Sequence, residues 1–203
     1  MWQSNHNLAS LIGSRICHDL ISPIGAIQNG VELLTLDSSA TVTGPEMSLI
    51  SDSVNHATSR IRFLRVAFGL AGTDQQMSAT EITSILDAIS VTSRVTFDWT
   101  LTGTSPRSEV QLVFLALQCF ESAMPHGGTV TVTRQADDRG WEVSGPADPE
   151  RPDPRLWRAL DDPTAQAAIQ PAQVQFALLP ALLTDHGRRI LLQTGPDSVT
   201  MRF

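Results

Sequence analysis

Two long stretches of apolar residues at helical spacing, joined by a short polar loop, constrain the fold of this chain more than any other feature. From Leu8 to about Leu36 the residues Leu8, Leu11, Ile16, Leu20, Ile24, Ile27, Val31 and Leu34 recur at spacings of three to five, the period of an amphipathic helix. A polar loop follows from Asp37 to Gly44, and Thr43-Gly-Pro-Glu46 has the form of a capping box. Met47, Ile50, Val54, Ala57, Ile61, Leu64, Phe68 and Ala71 then alternate spacings of three and four, which predicts a long heptad helix ending at Gly72. Two antiparallel helices cover each stripe only by half, and each aliphatic side chain taken out of water contributes about 1.5–3 kcal/mol. The pattern therefore predicts that the hairpin pairs with a second copy into a dimeric four-helix bundle. The alternative is that both stripes pack on the rest of the same chain, but a strict heptad suits helix-on-helix packing better than helix-on-sheet.

Beyond Met77 the periodicity changes. Ser78-Ala-Thr-Glu81 can cap a helix through about Val91, Arg94 to Thr100 alternates as a strand, and a helix is expected from about Ser108 to Ala123. Thr129 to Arg134 and Trp141 to Ser144 read as a hairpin of β-branched alternation. A Pro- and Asp-rich loop from Gly145 to Pro154 leads to helical segments near Leu156 to Leu160 and Ala172 to Asp185, and Arg189 to Thr194 with Ser198 to Phe203 form a closing hairpin. The fold class is therefore α+β: residues 1–73 are a helical hairpin, and residues 74–203 are an α/β sandwich. On helix two, Phe63 and Leu70 lie off the heptad stripe, so the end of that helix is apolar nearly all round and is expected to pack on the second domain.

Charge limits the partners. A formal net charge of -7 removes any general attraction to phosphate backbones or anionic lipid, so neither nucleic acid nor membrane is expected. All 14 basic residues are arginine, which excludes lysine Schiff-base chemistry and lysine-dependent phosphate loops. Cys17 and Cys119 form no metal or C-x-x-C pattern and read as reduced thiols. His6, His56, His126 and His186 show no mutual ligand spacing, and Trp2, Trp99, Trp141 and Trp157 read as core or interface filler. The first residues lack a basic n-region and no apolar run is long enough for a membrane span, so the chain is expected in the cytoplasm.

The informative stretch is Arg15-Ile-Cys-His-Asp-Leu-Ile-Ser-Pro23. At about 100° per residue, Ile16, Leu20, Ile24, Ile27, Val31 and Leu34 fall within about 80° of one another, with His18 near the opposite pole. Ser14, Arg15, Ser22, Gly25 and Asn29 share that pole, and being mostly small or hydrogen-bonding they suit close approach by another protein. An imidazole is ordinarily largely neutral near pH 7 and then offers one ring nitrogen as a nucleophile, so phosphorylation is the natural reaction. Asp19 can hold the other ring N–H, and Arg15 can face the oxygens of a transferred phosphoryl group. Pro23 cannot donate to the Asp19 carbonyl, which predicts a kink just beyond His18.

His18-Asp-Leu-Ile-Ser-Pro23 resembles the H-box of sensor histidine kinases, on the first of two helices as that box requires. The longer run from Ser14 to Gly30, with Arg62-Phe-Leu-Arg-Val-Ala-Phe-Gly69 and Met124-Pro-His-Gly-Gly128, is more specifically similar to the ChpT-type histidine phosphotransferases. The resemblance spans most of the chain and is weakest after Gly145. It implies that His18 is phosphorylated and that Asp19 assists the transfer. Ser22 stands where some kinases keep a Thr or Asn used in dephosphorylating their partner. Arg15 and Arg62 are either phosphate or partner contacts or a solvated helix face.

The second half resembles the ATP-binding domain of histidine kinases, yet Leu115 and Cys119 stand where those enzymes carry metal-binding asparagines, and Mg²⁺ requires oxygen ligands. Val143-Ser-Gly-Pro146 stands where an Asp-x-Gly-x-Gly is expected. The resemblance thus implies a shuttle with a degenerate ATP site and no cofactor of its own, taking Mg²⁺ from its partners, the receiver domains of a hybrid kinase and of response regulators. Two alternatives stand beside it: an ATP-dependent kinase with an atypical nucleotide site, and a non-catalytic dimeric adaptor for receiver domains.

Overall fold

The computed structural model describes residues 2–36, 44–72, 74–135, 140–162 and 168–203. Helix α1 (Trp2–Leu36) and helix α2 (Pro45–Phe68) pack side by side. A Cβ on Gly30 would lie 2.5 Å from the Ile50 side chain and 3.5 Å from the Glu46 carbonyl, while Asp19 meets Arg60. The helices therefore run antiparallel, and the absence of a side chain at Gly30 lets them close at the loop end.

Both ends of α2 differ from expectation. Gly44, in extended backbone, is the N-cap with Pro45 in the first turn, so no side chain caps this end. The capping role predicted for Thr43 falls outside the described residues. At the other end the helix stops at Phe68 rather than Gly72. The Gly69 N–H closes on the Arg65 carbonyl, and two side chains from later in the chain donate to carbonyls at and just beyond this end: Arg107 to Arg65 and Leu70, and Gln111 to Ala67 and Gly69. Ala71 is consequently outside the helix. Phe63 is buried as expected, stacked on Phe114 at 4.8 Å between centroids. Leu70, expected to pack on the second domain, is 98% exposed, because the chain has left the helix before reaching it.

The second half opens with strand β1 (Gln76–Ser78) and helix α3 (Ala79–Ser90), whose first turn is capped by the Ser78 hydroxyl accepting from the Glu81 N–H. Strands β2 (Val95–Trp99) and β3 (Thr104–Pro106) follow, then helix α4 (Arg107–Ala123), strand β4 (Gly128–Arg134) and strand β5 (Trp141–Gly145). Helix α5 (Pro154–Asp161), a 3-10 turn at Pro171–Gln173 and helix α6 (Gln175–Asp185) precede strands β6 (Leu191–Thr194) and β7 (Val199–Arg202). The strands β2, β4, β5, β7 and β6 form one five-stranded sheet in that order, with β2 parallel to β4 and the remaining pairs antiparallel. A separate two-stranded ribbon, β1 against β3, escaped the sequence analysis because three residues are too few to display alternation.

Register carries the amphipathic pattern across the sheet. Trp99, Val132, Val143 and Met201 stand in one cross-strand row and are buried, whereas Thr131, Ser144 and Thr200 form the neighbouring, less buried row. The inner face packs on α3 and α4, and α6 with α5 closes the far side of α4. At the turn into β4, Gly127 has φ 77°, and a Cβ there would meet the Arg94 carbonyl at 2.2 Å, so the turn requires glycine. Glu109 on α4 ties the layers together, accepting from Trp141 Nε1 at 2.7 Å and from Arg188 at 2.7 and 2.8 Å. Burial raises the Glu109 pKa, but the hydrogen bonds from Arg188 and Trp141, with the charges of Arg188 and Arg134, outweigh it and leave the carboxyl below its ordinary value. Among the described residues, no helix is long and apolar enough to cross a membrane.

Candidate functional site

His18 sits midway along α1 with its side chain 79% exposed. The helical period places it there: the apolar stripe, of which Ile24 and Val31 stay about half exposed, lies on the other side of α1, and the pole carrying His18, Ser14, Ser22 and Asn29 stays open. Gly25 adds to the openness, since a Cβ there would meet nothing within 4 Å. Pro23 is tolerated within the continuous helix and is buried.

Beneath this open face lies a compact charge cluster. The Asp19 carboxylate is 7% exposed; its Oδ2 accepts a hydrogen bond from Arg15 Nε at 2.9 Å and lies 3.2 Å from Arg60 Nε in an ion pair. Its other oxygen, Oδ1, lies 3.4 Å from His18 Nδ1. Arg60 Nη1 continues to Glu121 of α4, 3.3 and 3.4 Å from its two carboxylate oxygens. Arg15 donates from Nη1 to the carbonyl of Ala172 in the 3-10 turn. The cluster therefore joins α1, α2, α4 and the 3-10 turn directly behind the histidine. The Cys119 thiol of α4 is pushed well above its ordinary pKa by burial, with the nearby Arg15 charge opposing the shift.

The structure separates the residues that the helical wheel grouped on one pole. His18, Ser14, Ser22 and Asn29 are exposed on one face, with Gly25 beside them. Arg15 is not on that face: it is buried, and its guanidinium is committed to Asp19 and Ala172. A wheel describes one helix only, and this flank of α1 is covered by elements more than a hundred residues later in the chain. Arg62 is exposed but lines a cavity of about 750 Å³ with Asp52, His56 and Ser59 of α2, Ala88 of α3 and Val91 just beyond it, none of them from α1. Its side chain is thus directed away from the His18 cluster.

Arg60 and Glu121 were missed. Arg60 carried a legible signal, because it falls in the same sector of α2 as the buried residues Ser53, Leu64 and Ala67. An arginine in a buried sector needs an anionic partner. Which carboxylates would reach it depended on how α1 and α4 pack, and that is not periodic information.

Of the other candidates, His126 and His186 are exposed in turns, and Trp99, Trp141 and Trp157 are core residues, while the side chains of Trp2 and His6 lie outside the described residues. Cys17 is exposed and unpaired. Among the described residues no group of three or more His, Cys, Asp or Glu side chains converges to hold a metal ion.

Residues 79–198 match the family described as histidine phosphotransferase C-terminal domain. The protein phosphotransferase ChpT of Brucella abortus (strain 2308) is 34% identical over 134 residues, which is 65% of this chain and 63% of that relative's length. A solved structure of a bacterial phosphotransferase is similar over 97% of this chain and 95% of its own, with 27% identity and a TM-score of 0.77.

Proposed function

We propose that this chain, which belongs to the histidine phosphotransferase family, relays a phosphoryl group through His18 between the receiver-domain aspartates of a hybrid histidine kinase and of a response regulator. The observation that carries the reading is an imidazole 79% exposed, whose Nδ1 points at a carboxylate held in place from behind. With Nδ1–H donating to Asp19 Oδ1, the lone pair of Nε2 faces outward. It attacks the phosphorus of an aspartyl-phosphate, the new N–P bond forms as the P–O bond breaks, and the donor carboxylate leaves with the electron pair. The positive charge that develops on the ring is offset by Asp19, as a buried carboxylate supports an imidazolium. The return step transfers the group to a second aspartate, and because the two bonds are similar in energy, positioning provides most of the catalysis.

Ser14, Ser22, Gly25 and Asn29 form the contact face for the receiver, since short side chains let its acidic pocket come within bonding distance. The Mg²⁺ arrives with the receiver, so the chain needs no cofactor of its own. The division falls near residue 73, with the hairpin as transfer domain and residues 74–203 as a scaffold of histidine-kinase-ATPase type whose ATP site is degenerate. Supporting that, Leu115 and Cys119, at the positions of the kinase asparagines, are both fully buried in the core. A dimeric four-helix bundle would cover Ile24, Val31, Val54 and Ile61, which recur at heptad spacing and remain about half exposed in a single chain. The relay operates in the cytoplasm.

The test is reconstitution. A receiver domain phosphorylated with acetyl phosphate and Mg²⁺ is mixed with wild type and with His18→Ala, and acid-labile phosphate on the chain is followed. Transfer to wild type and none to His18→Ala is expected. Equal labelling of both would overturn the reading, and label taken directly from ATP by the purified chain would establish a kinase instead.

A further inference from the structure

Among the described residues, the two arginines paired with Asp19 meet the same oxygen. Arg15 and Arg60 both bind Oδ2, and Oδ1 is left to His18 Nδ1. A carboxylate turns easily about its terminal torsion, so a tautomer set by Asp19 is only as well defined as the groups that stop that rotation. We infer that Arg60 is a positioning residue for the phosphoryl-accepting histidine: by bridging Asp19 to Glu121 it anchors Oδ2 from the second half of the chain and aims Oδ1 at the ring. This inference rests on the reading of His18 as phosphoacceptor.

Three features make Arg60 the key member of the cluster. First, it alone in the cluster contacts both carboxylates, with Nε in an ion pair with Asp19 and Nη1 hydrogen-bonded to Glu121, a division of labour that suits the planar fork of a guanidinium and that the single ammonium of lysine reproduces poorly. Second, the four charges of Arg15, Arg60, Asp19 and Glu121 sum to zero. The side chains of Arg60, Asp19 and Glu121 are only 15%, 7% and 21% exposed, so loss of one partner leaves a poorly solvated charge uncompensated. Third, Glu121 belongs to α4, so the aim of the histidine depends on the docking of the second half against the hairpin. A scaffold that lost its nucleotide site would still be required for chemistry at His18 on this account, beyond any contact it makes with a receiver.

The experiment uses the full chain and phosphoramidate as a small phosphoryl donor, which removes receiver docking from the measurement. In that reaction Nε2 bonds to phosphorus, the P–N bond of the donor breaks, and ammonia leaves. Phosphohistidine formation is timed for wild type, Arg60→Gln, Arg60→Lys and Glu121→Gln, with His18→Ala as the control. The imidazole nitrogens are read by ¹⁵N NMR, which reports the tautomer directly and which a purely structural role would leave unchanged. Arg60→Gln is expected to slow labelling roughly ten- to hundredfold, the usual scale for an outer partner that orients a histidine, and to shift the ring from the Nδ1–H towards the Nε2–H form. Glu121→Gln is expected to act in the same direction but less, and Arg60→Lys to recover part of the loss. A folded Arg60→Gln with wild-type rate and wild-type nitrogen shifts would overturn the inference while His18 stays the acceptor. Should Arg60→Gln fail to fold, wild-type rate and shifts in Glu121→Gln would overturn it in the same way. Labelling of His18→Ala as fast as wild type would remove the acceptor itself, and the inference with it.

Discussion

In the second half of the molecule Val130, Val132, Trp141, Val143 and Met201 on the inner face of the sheet are all fully buried, whereas in the hairpin Ile24, Val31, Val54 and Ile61 keep between 44% and 55% of their surface in water. Both regions are amphipathic, and the difference lies in what covers them. The sheet meets α3 and α4 across its whole apolar face, and α6 closes α4 from outside. Away from the end of α2 that packs on α3 and α4, the hairpin has one helix against one helix, which leaves a strip on each unmatched. The two regions share a core at the end of α2, where Phe63, Val66 and Ala67 enter the cluster that contains Phe97 and Phe114, and Leu8 and Ile12 near the start of α1 pack against the same cluster. One half is thus a finished globule, and the other is a hairpin tied to it by an apolar contact near one end and by the Arg15–Ala172 and Arg60–Glu121 contacts behind His18.

The contrast can be attacked at the anchor. Phe63→Ala opens a cavity in the shared core and is expected to lower stability by about 3–5 kcal/mol, read by urea unfolding; a loss typical of a surface residue would mean the halves are independent. Next in size, Ile24→Asp with Val54→Asp puts charge into the exposed strip. Each removes about 1.5–3 kcal/mol of apolar burial from the proposed dimer. Sedimentation equilibrium should show a folded monomer, and an unaltered mass would show that the strip is not an interface between copies.

Within the finished half, Glu109→Gln weakens the hydrogen bonds from Arg188 and Trp141 and is expected to cost about 2 kcal/mol at neutral pH. Because the folded state holds the Glu109 carboxyl below its ordinary value, its contribution is complete above the unfolded-state pKa and is lost as pH falls through the folded one. Denaturant midpoints should therefore drop on acidification less steeply in Glu109→Gln than in wild type. The smallest effect is expected from Ser78→Ala, which removes the α3 cap and costs about 1 kcal/mol. Thermal melts should show a shift confined to the second half, with the hairpin helix signal unchanged.

Most of the elements were legible because they are long enough to show a period. Helices α2 and α4 and the strand pairs β4–β5 and β6–β7 lie within a few residues of where alternation or helical spacing predicts them, and α1 ends where predicted but begins at Trp2, ahead of the Leu8 at which its apolar stripe starts. The end of α2 was not legible, since its heptad continues on paper through Ala71, and donors from Arg107 and Gln111 mark where the helix stops. At the candidate site the exposure of His18 followed from its place opposite the stripe. The burial of Arg15 did not, because what covers it is the Ala172 carbonyl, supplied by a turn near the far end of the chain.

The amino-acid order alone therefore determined where helices and strands form and which face of α1 offers an imidazole to solvent, since both follow from local periodicity and the short range of backbone hydrogen bonding. Tertiary packing decided which carboxylate oxygen faces that ring, which arginines stand behind it, and which half of the protein supplies Glu121. Those outcomes depend on side chains brought within about 3 Å from distant parts of the chain, the range at which hydrogen bonds and close ion pairs act, and no spacing along the sequence encodes such a distance.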